Sequence, residues 1–174
     1  MSKLAVSPSS LLLSGTVMVP MVPSSGGAVV GAKPCADWEI THVGPRGVPM
    51  MQYRHEDRAK ALAGIVMELG WMSSDHMVGR IVLPAGLRLA DGARIQIDDA
   101  PAGARMPLHG FGRRDCMVDI SWTGAMIAAL YAGQVLKVHA RVASSKKPVV
   151  FIVPLNRFGA VADQLKELMI QRSQ

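Results

Sequence analysis

From Asp37 to its end the chain is organised by alternation of apolar and polar positions. In WEITHV (38–43) and VPMMQYR (48–54) apolar side chains recur at every second position, the period of a half-buried strand. GPRG between them reads as a turn. ALAGIVMELGW (61–71) is long and apolar, and Ile65, Val66 and the glycine and tryptophan that follow favour a buried strand over a short helix. GRIVLP (79–84) reads as another strand, stopped by Pro84-Ala85-Gly86. LRLADGARIQID (87–98) has the form of a hairpin: Leu87 and Leu89 alternate before Asp91-Gly92, and Ile95 and Ile97 alternate after it. Asp-Gly tolerates the positive φ angles of a type I′ turn, whose twist matches the flanking strands. CMVDI (116–120) is a further strand, and QVLKVHARV (134–142) with PVVFIVPL (148–155) predicts a hairpin across ASSKK.

Two segments switch to the helical period. SWTGAMIAALYAG predicts a helix over 122–132, with Ser121 or Thr123 as cap, a stripe of Met126, Ile127, Leu130 and Tyr131, and Gly133 as stop. NRFGAVADQLKELMIQ predicts a second over 157–171, with Asn156 as cap and Phe158, Val161, Ala162, Leu165, Leu168 and Met169 on one face. Short strands punctuated by Gly/Pro turns, with two helices, argue for a mainly β chain folded as a sandwich or barrel. The fold expected for residues 35–174 is one jelly-roll-like β-sandwich domain.

Residues 1–34 depart from this pattern. Lys3 is the only charge before Lys33, and the apolar patch over 11–22 is broken by Ser14, Gly15, Thr16 and Pro20. That patch is shorter than the ~18–20 residues a bilayer-crossing helix needs. Val30-Gly31-Ala32 is an acceptable small-residue cleavage site. The segment therefore reads either as an export signal or as a retained, irregular apolar arm. No cysteine of the lipoprotein type follows the apolar patch.

Composition narrows the function classes. The 174 residues are 49% hydrophobic but only 5% aromatic, so aliphatic side chains and twelve methionines must fill the core. The formal charge of +6 permits contact with anionic lipid, acidic protein or nucleic acid. The basic pairs Arg113-Arg114 and Lys146-Lys147 are the candidate contacts for an anion or partner. Neither is interleaved with aromatic residues, so no stacking platform for nucleic acid is expected.

A search for chemistry returns no catalytic, cofactor or metal residues. No pair among His42, His55, His76, His109 and His139 has the i, i+4 spacing of a helical zinc site, and no Cys-x-x-Cys occurs. His55-Glu56-Asp57 lacks the second histidine of a zincin, and no Gly-x-Ser-x-Gly elbow is present. Gly110-Phe111-Gly112 lacks the lysine-threonine end of a phosphate loop, and Asp98-Asp99 has no calcium-loop spacing. Arg113 and Arg114 are near enough in sequence to lower the thiol pKa of Cys116, but Met117, Val118 and Ile120 continue a strand on which cysteine is a small apolar residue. Two cysteines allow one disulfide, Cys35–Cys116. It closes a long loop and is worth roughly 4–5 kcal/mol if the geometry permits.

From Gly79 to Leu168 the order of features resembles the invasion-associated locus B family, small exported proteins of Gram-negative bacteria. LPAGLRL (83–89), DGARIQID (91–98), RMPLHGF leading to the cysteine of RRDCMVDI, AMIAALYAGQVLKV (125–138) and VVFIVPLNRFGAVADQL (149–165) carry the likeness, and Trp38 resembles the tryptophan that opens the first strand. The chain departs from the pattern at His42, where a cysteine commonly stands, at the reversed dipeptide Phe158-Gly159, and at Cys35, which precedes the tryptophan. The resemblance implies a non-catalytic protein of the periplasm or outer surface, without cofactor, linked in some members to host-cell invasion. On that basis the expected function is an envelope interaction protein that binds another protein or an anionic membrane surface. The alternative is an accessory structural subunit of a membrane-bound complex, respiratory or photosynthetic, with the leader kept as an anchor or packing arm. A leader that is not an export signal would leave the protein in the cytoplasm.

Overall fold

The computed structural model describes residues 28–30, 37–56 and 64–172. Most of the leader segment, and Cys35 with it, lies outside these residues. The described chain is mainly β, with two open sheets and two helices. The larger sheet holds β2 (Trp38–Val43), β3 (Val48–Glu56), β4 (Gly64–Ser73), β5 (His76–Pro84), β8 (Asp115–Thr123) and β7 (His109–Phe111), neighbours in that order. The smaller runs β1 (Ala28–Val30), β10 (Pro148–Pro154), β9 (Val135–Arg141), β6 (Arg94–Ile97). Every pairing is antiparallel except β1 with β10. β1 falls inside the stretch read from sequence as leader.

Alternation does what it predicts. Met51, Tyr53, Met67, Leu69, Ile81, Leu83, Val118 and Ile120 line the inner face of the large sheet, and Leu136, Val138, Val149, Phe151 and Val153 that of the small one. These two faces share one core, the arrangement of a sandwich. The outer face of the large sheet is polar at its centre: Glu68, nearly buried, accepts hydrogen bonds from Arg80 Nε at 2.6 Å and Gln52 Nε2 at 2.8 Å. A carboxylate removed from water this far needs such donors.

The helices are α1 (Gly124–Ala132) and α2 (Phe158–Arg172). Thr123 occupies the N-cap position of α1 without a side-chain capping bond, and α2 starts at Phe158, two residues beyond the expected cap Asn156. Phe158, Val161, Ala162 and Leu165, at helical spacing, bury one face of α2. Two tryptophans bind it in place. Trp38 stacks edge-on against Phe158 at 5.1 Å and donates its indole N–H to the Pro154 carbonyl at 2.9 Å. Trp71 donates to the Ala162 carbonyl at 2.9 Å.

The Asp-Gly hairpin expected over 87–98 does not form. Leu89–Asp91 is a 3-10 turn, Leu87 bridges to Val142, and β6 pairs with β9 through Ile95 and Val138. The Asp-Gly turn chemistry is used locally, while the strand signals on either side are satisfied by the distant β9 and its extension.

Tyr53 is fully buried and its hydroxyl has no hydrogen-bond partner among the described residues. Burial pushes its pKa up to about 12. An unfolded tyrosine ionises near pH 10, so between roughly pH 10 and 12 only the unfolded chain loses the proton and stability falls as pH rises. The expected loss from this residue is about 1.4 kcal/mol at about pH 11. Urea unfolding at neutral and alkaline pH checks it. Tyr53→Phe is expected to remove that part of the alkaline loss and to be neutral or stabilising at neutral pH, because an unsatisfied hydroxyl leaves the core. An identical alkaline loss in both proteins would refute the assignment.

Candidate functional site: a basic groove

The outer face of the small sheet carries the polar phase of its strands. Along β9 Leu136, Val138 and Ala140 enter the core, which leaves Lys137, His139 and Arg141 on the other side. Register sets Arg94 of β6 directly opposite His139. The 3-10 turn brings up Arg88 and Asp91: the Arg88 amide donates to the Arg141 carbonyl at 2.7 Å, and the Asp91 carboxylate lies 3.4 Å from Arg88 Nε and 3.9 Å from Arg141 Nε.

Gly92 then turns the chain with φ +64°. A Cβ there would stand 2.4 Å from the Met106 carbonyl oxygen and 3.0 Å from Arg105 Cγ, so glycine alone lets the Arg105 side chain lie across this corner. The same close approach permits the paired bonds between Ala93 and Met106. Across the groove, Lys146 sits in the β9–β10 turn at φ +56°, its amide donating to the Val142 carbonyl and its own carbonyl accepting from Arg141 Nη1 at 3.2 Å.

The result is a groove of about 730 Å³ lined by Arg88, Arg94, Arg105, His139, Arg141 and Lys146, with Asp91 as its one carboxylate among the described residues. Two guanidinium groups share Asp91, and among the described residues no carboxylate pairs with Arg94 or Arg105. His139 donates Nε2–H to Gln96 Oε1 at 2.7 Å. Burial, and secondarily Lys137, lower its pKa, so it stays neutral at neutral pH. The positive charge of the groove therefore resides in arginine and lysine. Chemically the arrangement can hold anions. Among the described residues no three His, Cys, Asp or Glu side chains converge as a metal site would require.

Of the residues singled out from sequence, Lys146 lines the groove and Lys147 is its exposed neighbour, whose carbonyl accepts from Val142 N at 3.0 Å. Arg113 and Arg114 are exposed in the β7–β8 turn and do not line it. They belong to the same end of the molecule, because residues 85–88 join the two turns. Ala85 N donates to the Arg114 carbonyl at 2.8 Å, and Ala143 N to the Gly86 carbonyl at 2.7 Å. Cys116 is buried on the core side of β8, has no disulfide partner among the described residues, and burial pushes its thiol pKa up. Sequence reading passed over Arg88, Arg94, Arg105 and Arg141, which stand singly along the chain. The only hint was the polar phase of the strands that carry Arg94 and Arg141. A second concavity, apolar and lined by Trp71, Met72, Lys166, Met169 and Ile170, lies beside α2 and the β4–β5 turn.

The sequence profile described as Invasion associated locus B (IalB) protein matches residues 49–166, more than half of the chain. The chain belongs to this family. Two invasion protein B homologues, from Brucella abortus strains 2308 and 9-941, are each 28% identical over 145 residues, spanning 82% of this chain and 83% of theirs. The crystal structure of invasion associated protein B from Bartonella henselae superposes with a TM-score of 0.67 at 23% identity, covering 76% of this chain and 93% of that one. That likeness shows the locus B fold: a mainly β body with its two helices. Among the described residues no helix is long and apolar enough to cross a membrane.

Proposed function

We propose that this member of the invasion associated locus B family is a non-catalytic interaction protein of the bacterial cell envelope, whose basic end docks on an anionic surface. The observation that carries the reading is the gathering of Arg113, Arg114, Lys147 and the groove cations around residues 85–88. A membrane rich in anionic lipid meets this requirement, and so does the acidic face of a partner protein. The family membership supports the envelope location, and the relatives carry the name of invasion proteins rather than of enzymes.

Co-sedimentation of the full chain with phosphatidylcholine vesicles containing phosphatidylglycerol tests the docking. Each cation close to an anionic surface contributes about 1 kcal/mol, so Arg114→Gln with Lys147→Gln is expected to weaken attachment about thirtyfold. Added salt should weaken it as well. The charge-matched pair Arg46→Gln with Arg172→Gln, at the β2–β3 turn on the opposite end of the large sheet, should change it little. Equal losses in the two double variants would reduce the effect to net charge and sink the reading. Separation of envelope from cytosol in native cells tests the location, and recovery of the protein from the cytosol alone would refute it.

A further inference from the structure

Within that basic end, we propose that the groove is a binding site for a phosphorylated sugar or polyol, either free or as the headgroup of a lipid. The inference rests on the reading that this end meets anions, and adds which ligand the groove itself takes.

Four guanidinium groups and one ammonium converge on the groove, and Arg94 and Arg105 have no carboxylate partner among the described residues. The planar fork of a guanidinium matches pairs of oxyanion oxygens, which makes arginine the side chain suited to phosphoryl groups. Asp91 holds Arg88 and Arg141 side by side without neutralising the rest. Gly92 clears the space that Arg105 crosses, and Lys146 is kept in a left-handed backbone conformation that residues other than glycine rarely adopt.

Shape and lining select among anions. About 730 Å³ exceeds a bare phosphate or sulfate and falls in the range of small-molecule sites. A flat bilayer surface does not fill a concavity, whereas a projecting headgroup does. Among the described residues no aromatic ring lines the groove, so neither a nucleobase nor an apolar body finds a stacking surface there, and the polar walls suit a hydroxylated one. An acidic peptide is disfavoured for a separate reason. Peptides add to sheets through a free strand edge, and the outer edge of β6 is taken: Gly103 N donates to the Ile95 carbonyl at 2.8 Å, and Ala93 and Met106 exchange hydrogen bonds.

Calorimetric titration of the full chain with inositol hexakisphosphate, inorganic phosphate and unphosphorylated inositol tests the site. Inositol hexakisphosphate is expected to bind more tightly than inorganic phosphate, and inositol not at all. Arg94→Gln with Arg105→Gln should weaken inositol hexakisphosphate by about tenfold or more, while Arg113→Gln with Arg114→Gln should change it by less than about twofold. Circular dichroism verifies that both variants fold. Vesicles doped with phosphatidylinositol phosphate separate the sources: their release by inositol hexakisphosphate assigns a lipid headgroup, and indifference to the doping assigns a free ligand. Unchanged affinity in the Arg94/Arg105 variant, or an equal loss in the Arg113/Arg114 variant, overturns the groove assignment. If salt-sensitive attachment to phosphatidylglycerol vesicles survives that result, the docking reading stands and only the groove assignment falls. If attachment is absent too, both fall.

Discussion

Phe158→Ala is expected to cost about 3–5 kcal/mol of folding stability, the range for truncating a large ring in a closed core. Phe158 opens α2, is fully buried, and meets Trp38 edge-on at 5.1 Å and Tyr131 edge-on at 5.8 Å. Removing it leaves a void where α2, α1 and β2 join. Trp38 then loses the partner that holds its indole against β10, so the loss extends beyond one side chain. Chemical denaturation of native and variant proteins measures the effect. Phe158→Leu, which keeps most of the volume, should cost clearly less. A loss below about 1 kcal/mol for alanine would mean that the start of α2 lies outside the cooperative core.

Gly79→Ala is expected to be comparably severe for the opposite reason. Gly79 pairs with Leu69 and Ile120 at the centre of the large sheet, and its φ is unremarkable for any residue. An added methyl group would nonetheless lie 1.9 Å from the Glu68 carbonyl oxygen, an atom of the neighbouring strand's backbone that cannot rotate away. β4 and β5 would have to separate there, and the Glu68–Arg80 pair with them. A loss of about 3 kcal/mol or more is expected. Gly70→Ala is the internal control: its added methyl would meet only the flexible Met50 side chain at 3.6 Å, so the change should stay within about 1 kcal/mol. Equal stability of the two alanine variants in urea would contradict the close approach of the strands.

Local signals in the sequence are legible where the partners are neighbours. β2 and β3 are joined by the short GPRG turn, and β9 and β10 by ASSKK, so alternation plus turn residues named both ends of each pairing. The stripe on α2 was legible because helical spacing is set within the element itself. The Asp-Gly segment failed because its strand signals answer to β9, which lies beyond β7, β8 and α1 in the chain. Propensity carries no information about such a partner. The groove follows the same logic. Lys146 and Lys147 stand out as a pair in the sequence, whereas Arg88, Arg94, Arg105 and Arg141 become a cluster only through the β6–β9 register and the turn at Gly92.

The split membership of the two sheets also dictates an order of assembly. β2 to β5 follow one another and can zip up as a meander while the chain is still being made. The small sheet instead draws β6 from mid-chain, β9 and β10 from near the end, and β1 from near the beginning. Closing such distant contacts is entropically slow. Until α2 has emerged, the apolar face of β2, β3 and β4 that bears Met51, Tyr53 and Leu69 lacks the helix that packs against it. A nascent chain of this protein therefore exposes an apolar sheet face before the end of the domain is made, the kind of surface that chaperones shield.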